Sequence, residues 1–148
     1  MNESRLLPRA PKEYQGSRIA LYLLALFAIV GTVRSFIHML APDGGAGSIA
    51  GIAIGIEGGT NIIAIFGQWG ASQLILAVFY WLALLRYRFL VPFMLLTVLI
   101  EQFLRIFVGW MKPLAVASPP PGAIGSYVAI PLALIALLLS LRKPSQGA

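Results

Sequence analysis

Residues 89–112 read FLVPFMLLTVLIEQFLRIFVGWMK, and the reading of this stretch decides the fold. A helix needs about 20 apolar residues to cross a bilayer's hydrocarbon core. The stretch has that length. Pro92 falls in its first turn, where a missing N–H is harmless, and Trp110 and Lys112 close the other end. Its second half nevertheless carries Glu101, Gln102 and Arg105. Ionisable groups inside a membrane segment cost about 2.5–3.5 kcal/mol each on insertion scales, and they usually face a partner or a water-filled cavity. Glu101 and Arg105 stand i, i+4, so they share a helix face and can pair. A functional centre is expected around them.

Composition places the whole chain in the same setting. Of 148 residues, 59% are hydrophobic and 11% charged, against about 25% charged in a soluble domain. The net charge of +6 comes from basic residues flanking apolar spans, which fits membrane orientation and gives no reason to expect nucleic acid. The absence of cysteine excludes disulfides, Cys-ligated metal and thiol chemistry.

Working outward, the first span covers about residues 19–40 and ends at Ala41-Pro42-Asp43; Arg34 and His38 share one of its faces with Phe27 and Gly31. His38 reads either as an interfacial histidine or as part of a polar layer. The second span covers about 61–85, with Thr60 as N-cap and Gly67 and Gly70 as sites of close helix packing. Trp69 suits the aromatic belt, and Gln68, Ser72 and Gln73 offer hydrogen bonds across the bundle. Arg86-Tyr87-Arg88 is a turn so short that spans two and three must be antiparallel neighbours. The third span is 89–111. A stiff proline connector precedes a leucine-rich fourth span at about 124–141, which Pro131 could kink.

Between the first two spans lies DGGAGSIAGIAIGIEGGT, residues 43–60. Gly47, Gly51, Gly55 and Gly59 recur every four residues. In a helix they would form a smooth stripe for close packing; otherwise the segment is a connecting loop. Its apolar part is too short to span, which suits a re-entrant or interfacial segment. The expected fold is therefore all-α: a four-transmembrane-helix bundle over residues 18–143, with cytosolic tails at 1–17 and 144–148. Arg5, Arg9, Lys12, Arg18, Arg86, Arg88, Arg142 and Lys143 fall on one side, and only Lys112 on the other. That asymmetry predicts both termini in the cytoplasm.

Depth along the helices predicts a polar layer in the outer half, made of Arg34, Gln68, Glu101, Gln102 and Arg105, with His38, Glu57 and Asn61 above it. Two arginines against one deep carboxylate suit an anionic headgroup, a quinone carbonyl or a carboxylate ligand. A purely structural cluster fixing helix register is the alternative. No metal is expected from a single histidine, and no cofactor is required by the residues, although a quinone or lipid would fit.

The layout of a first helix, a glycine-rich outer segment, then EGGTNIIAIFGQWGASQLILAVFYWLALLRYRF (57–89) and an Arg-bearing third helix resembles the DoxX-like small bacterial four-helix membrane proteins. The resemblance covers about residues 19–141 and implies an accessory or quinone-adjacent role in the bacterial inner membrane. The glycine and alanine content favours a non-enzymatic module among membrane lipids, in a homo-oligomer or a larger membrane complex. Binding of a quinone, lipid or anion by the polar cluster, as in a quinone-linked oxidoreductase subunit, is the second reading.

Overall fold

The structure, a computed structural model, describes residues 13–142. The basic tail residues Arg5, Arg9, Lys12 and Lys143, and the tail at 144–148, lie outside the described residues. Four helices make up the fold: α1 (Arg18–Leu40), α2 (Gly59–Leu85), α3 (Val91–Met111) and α4 (Pro121–Leu141), with a single 3₁₀ turn at Arg88–Leu90 leading into α3. All four are long and apolar enough to cross a membrane. The described chain has no strand.

The helices run up and down as two hairpins, α1 on α2 and α3 on α4, and α1 also packs on α4. A backbone hydrogen bond from Ser17 N to Leu139 O (3.1 Å) ties the start of α1 to the end of α4. One end of the bundle, the terminal face, therefore holds the start of α1, the end of α4 and the Arg86–Arg88 turn. The other, the loop face, holds the glycine-rich segment and the proline connector.

Packing is uneven along the bundle. Ser35 and Ala46 are buried nearer the loop face. Most of the fully buried side chains are small or aliphatic and sit toward the terminal face, among them Leu24 and Ala28 on α1, Ala83 on α2, Leu95 and Val98 on α3, and Ala133 and Ala136 on α4. Alanine at these positions lets helix backbones approach closely where lipid gives no hydrophobic drive to associate. Trp81 Nε1 donates to Thr32 Oγ1 (3.1 Å), adding a polar tie between α1 and α2. Large apolar side chains such as Ile29, Ile75, Leu104 and Ile135 point outward, as a hydrocarbon surround requires. Toward the loop face α1 and α2 stay in close contact at Gly70, while a cavity lies between the four helices, and α2 and α4 make no backbone contact.

Three sequence expectations change. The glycine-rich segment is a run of turns and extended backbone, so Gly47, Gly51 and Gly55 form no helical stripe. Gly44, Gly45 and Gly51 have positive φ (60°, 75° and 69°), a conformation that breaks any helix through the segment. Helix α2 starts two residues early, with left-handed Gly58 (φ 81°) as its cap, so Thr60 lies inside the first turn. Helix α4 starts at Pro121, because a fixed φ and a missing N–H suit a first helical turn. Pro131 lies inside α4 without ending it.

The first turn of the glycine-rich segment is held by Asp43, whose two carboxylate oxygens accept from Gly45 N (2.8 Å) and Ser48 N (2.6 Å). These backbone donors favour the charged form and lower the Asp43 pKa to about 2. A depressed carboxyl pKa contributes stability that is present above the unfolded value and lost as pH falls through the folded one. The turn should therefore loosen between about pH 4 and pH 2. Amide exchange at residues 45 and 48, corrected for intrinsic rate, should speed up across that window; in Asp43→Ala it should be fast at every pH.

Candidate functional site

The site lies in the loop-face half, where each helix contributes one stripe of side chains. On α1, Arg34 and His38 are one turn apart. On α2, Phe66, Trp69, Gln73 and Tyr80 follow one another at spacings of three, four and seven, so they line the same face. Helix α3 supplies Glu101, Gln102 and Arg105, and α4 supplies Gly122 and Ser126.

A polar chain crosses all four helices. Arg34 Nε donates to Gln73 Oε1 (3.0 Å), and Arg34 Nη2 donates to the same oxygen. Gln73 Nε2 donates to Glu101 Oε1 (3.0 Å), and Arg105 Nη1 lies 3.6 Å from that carboxylate oxygen. Arg105 Nε donates to Ser126 Oγ (3.3 Å), whose hydroxyl donates back to Gly122 O (3.1 Å). The expected Glu101–Arg105 pair is present. Arg34 reaches Glu101 only through the Gln73 amide.

Trp69 is the hub of the site. The guanidinium carbons of Arg34 and Arg105 each lie 5.0 Å from the centre of its ring system. The His38 ring stacks on it at 4.8 Å and 25°. Phe66 meets both rings edge-on, at 5.4 Å from His38 and 5.7 Å from Trp69. Both cations lie within the ~6 Å over which an aromatic face attracts them. The face thus helps to hold two like charges in one place. His38 is buried, and its Nδ1 donates to Gly44 O (2.7 Å), pinning the glycine-rich segment to α1.

Beneath this layer is a cavity of about 530 Å³, within the ~300–1,000 Å³ range of ligand pockets. Arg34, Gln73, Glu101, Gln102, Gly122 and Ser126 border its polar end. Its body is apolar, lined by residues such as Phe27, Leu76, Val98 and Leu132. Leu26 and Val30 on α1 and Val128 on α4 also border it while remaining about half exposed, so the cavity reaches the flank of the bundle. Tyr80 also lines it; that residue is 4% exposed, and its hydroxyl has no hydrogen-bond partner among the described residues.

The expected residues divide accordingly. Arg34, Glu101, Gln102 and Arg105 come together at the cavity's polar end, with His38 behind Trp69. Gln68 does not join them: its side chain is exposed, and only its backbone oxygen is engaged, by Ser72 Oγ. The amide in the layer is Gln73, five residues on and on another face of α2. Glu57 and Asn61 are exposed on the loop face, outside the network. Gly59 opens α2 against the Ile54 carbonyl and takes no part in helix–helix packing. The close approach of α1 and α2 is at Gly70, where a side chain would collide with His38 and Ser35, while Gly67 lies beside the His38 carbonyl. Gln73 makes the hydrogen bonds across the bundle that the sequence leads one to expect, but its place in the polar layer and the roles of Trp69 and Tyr80 are missed by sequence reasoning; the shared spacing with Gly70 and Ala77 is the signal that could have found them.

Charge at this site does not balance. Two guanidiniums face one carboxylate, and the N-terminal turn of α4 adds the positive end of a helix dipole at Gly122. A Cβ placed on Gly122 would lie 3.5 Å from Arg105 Nη2 and 3.9 Å from Arg34 Nη1. Both cations therefore converge on that turn. No group of three or more His, Asp or Glu side chains among the described residues could hold a metal ion. Compared with family models, with curated proteins and with solved structures, the chain matches none.

Proposed function

We propose that this chain is a polytopic protein of the bacterial inner membrane, with both termini cytoplasmic, whose bundle binds a small membrane-borne ligand. The observation carrying this reading is the cavity: apolar along its body, cationic at one end, and open toward the flank that lipid covers. The competing reading, a module that acts by packing on partners, rests on glycine and alanine content; Gly47, Gly51 and Gly55 form no helical stripe, and Gly70 and the buried alanines pack inside this bundle. The layout shared with DoxX-like proteins is compatible with either.

Orientation rests on Arg18, Arg86, Arg88 and Arg142 at the terminal face against Lys112 at the loop face. A reporter fused after residue 148 should read cytoplasm, and one inserted at Pro119 the opposite side; a cytoplasmic Pro119 would overturn the topology.

Binding is tested by native mass spectrometry of protein released from a gentle detergent. One small-molecule adduct per chain is expected. Gly125 borders the cavity and a Cβ there would meet nothing within 4 Å, so Gly125→Leu should fill the space without disturbing the helices. That variant should lose the adduct and keep its melting temperature. Wild-type protein that takes up no lipid-extract component, or an adduct indifferent to Gly125→Leu, would refute the reading.

A further inference from the structure

We infer that the ligand is a single-chain anionic lipid with a hydrogen-bond acceptor between head and tail, its head held at Arg34 and its acceptor at Tyr80. The inference rests on the ligand-binding reading above and names the ligand class.

The head follows from charge. Arg105 has Glu101 as its counter-ion, whereas Arg34 bonds only to the neutral Gln73 oxygen, and no carboxylate among the described residues lies within ion-pair distance of it. Among the described residues Arg34 Nη1 makes no hydrogen bond, and it faces the first turn of α4 at Gly122. A half-buried guanidinium inside a membrane span with no carboxylate in direct contact is costly, so an oxyanion at this point would stabilise both the protein and the complex. Arginine suits the purpose, because its fork matches phosphate and carboxylate oxygens. The α4 N-terminus adds favourable potential for the same charge.

The acceptor follows from Tyr80. Tyr80 borders the cavity and is more than nine-tenths buried, and its hydroxyl has no hydrogen-bond partner among the described residues. Leaving such a donor unsatisfied costs about 1–3 kcal/mol, which an ester carbonyl or a hydroxyl on the ligand would recover. Tyr80 is seven residues beyond Gln73, about 10 Å along α2, and helical side chains lean back toward the N-terminus. The hydroxyl thus lies below the arginine layer, where the link between head and chain would sit. The tail is single because one apolar cavity of about 530 Å³ serves head, link and chain together.

The test uses the full chain in nanodiscs of uncharged-overall phosphatidylcholine, with equilibrium binding of radiolabelled palmitoyl lysophosphatidate, palmitate and monopalmitoylglycerol. The two anions should bind at least about tenfold tighter than the neutral glyceride, a difference of about 1.4 kcal/mol. Arg34→Gln should reduce that preference to less than about threefold. Arg34→Lys, which keeps the charge, should retain the preference, and it serves if the glutamine variant fails to fold. Tyr80→Phe should weaken lysophosphatidate about three- to tenfold and palmitate less than about twofold, as loss of one hydrogen bond predicts. Inorganic phosphate in the millimolar range should not compete. Equal binding of neutral and anionic lipids would overturn the charge assignment and leave the ligand-binding reading standing. Competition by inorganic phosphate would make this a soluble-anion site, and an unchanged Tyr80→Phe would remove the acceptor. Saturable binding of none of the three lipids would sink both proposals.

Discussion

Gly70→Ala should lower the stability of the detergent-solubilised protein by about 1–3 kcal/mol, the usual cost of overpacking a close contact. A Cβ at this position would lie 2.7 Å from His38 Cβ, 2.9 Å from Ser35 O and 3.1 Å from Met39 Cγ. Two of those atoms belong to the rigid frame of α1 and cannot move aside as a side-chain tip could. Relief requires α1 and α2 to separate, which would also disturb the His38 stack on Trp69. Gly109→Ala is the control. Nothing lies within 4 Å of its Cβ position on α3, so only the gain in helix propensity, up to about 1 kcal/mol, should appear. Unfolding midpoints of the two variants, measured by denaturing-detergent titration, should shift in opposite directions. Equal shifts would mean that the helices do not meet at Gly70.

Glu101→Gln should have an effect of about 2–4 kcal/mol. Removing one member of a buried ion pair costs about 3–5 kcal/mol, because the remaining charge is left uncompensated. Glu101 is about a quarter exposed, so the lower part of that range and below applies. The loss would strand Arg105 and leave two guanidiniums close together at Trp69 and Gly122 with no carboxylate between them. Gln73→Leu should destabilise too, by separating Arg34 from the carboxylate. Because Gln73 Nε2 donates directly to Glu101, the double variant should cost less than the two losses summed, by about 0.5–3 kcal/mol. Strict additivity would show that the residues act separately.

These two results bear on how much of the molecule can be read from its residues. The spans were legible because hydropathy and length act on each segment alone, and Glu101–Arg105 because an i, i+4 pair is local to one helix. Depth along α2, which can be counted from the sequence, points to Gln68, whereas the rotation of the helix about its axis, which brings Gln73 into the layer, is set by its neighbours. The face of α2 was in fact marked: Gly70, Gln73, Ala77 and Tyr80 repeat at three and four, and Gly70 had already been assigned to packing. The glycine stripe failed for a different reason. A period of four means one face only where the chain is helical, and the Gly44-Gly45 and Gly58-Gly59 doublets were turn signals pointing the other way. The cavity was beyond reach, since its lining comes from all four helices and depends on how they pack.

The division into two hairpins bears on how the chain enters the bilayer during synthesis. Arg34 finds Gln73 on the helix that follows it, and Arg105 finds Glu101 on its own helix and Ser126 on the next. Each pair of spans can therefore pass from the translocation machinery into lipid with its arginine already engaged, before the other pair arrives. Only when the halves close on each other does Gln73 reach Glu101 and the Ser17–Leu139 bond seal the first helix to the last. The space between them does not exist in either half. On this route a bound lipid would be enclosed at the last step of assembly, as part of the surface along which the halves meet.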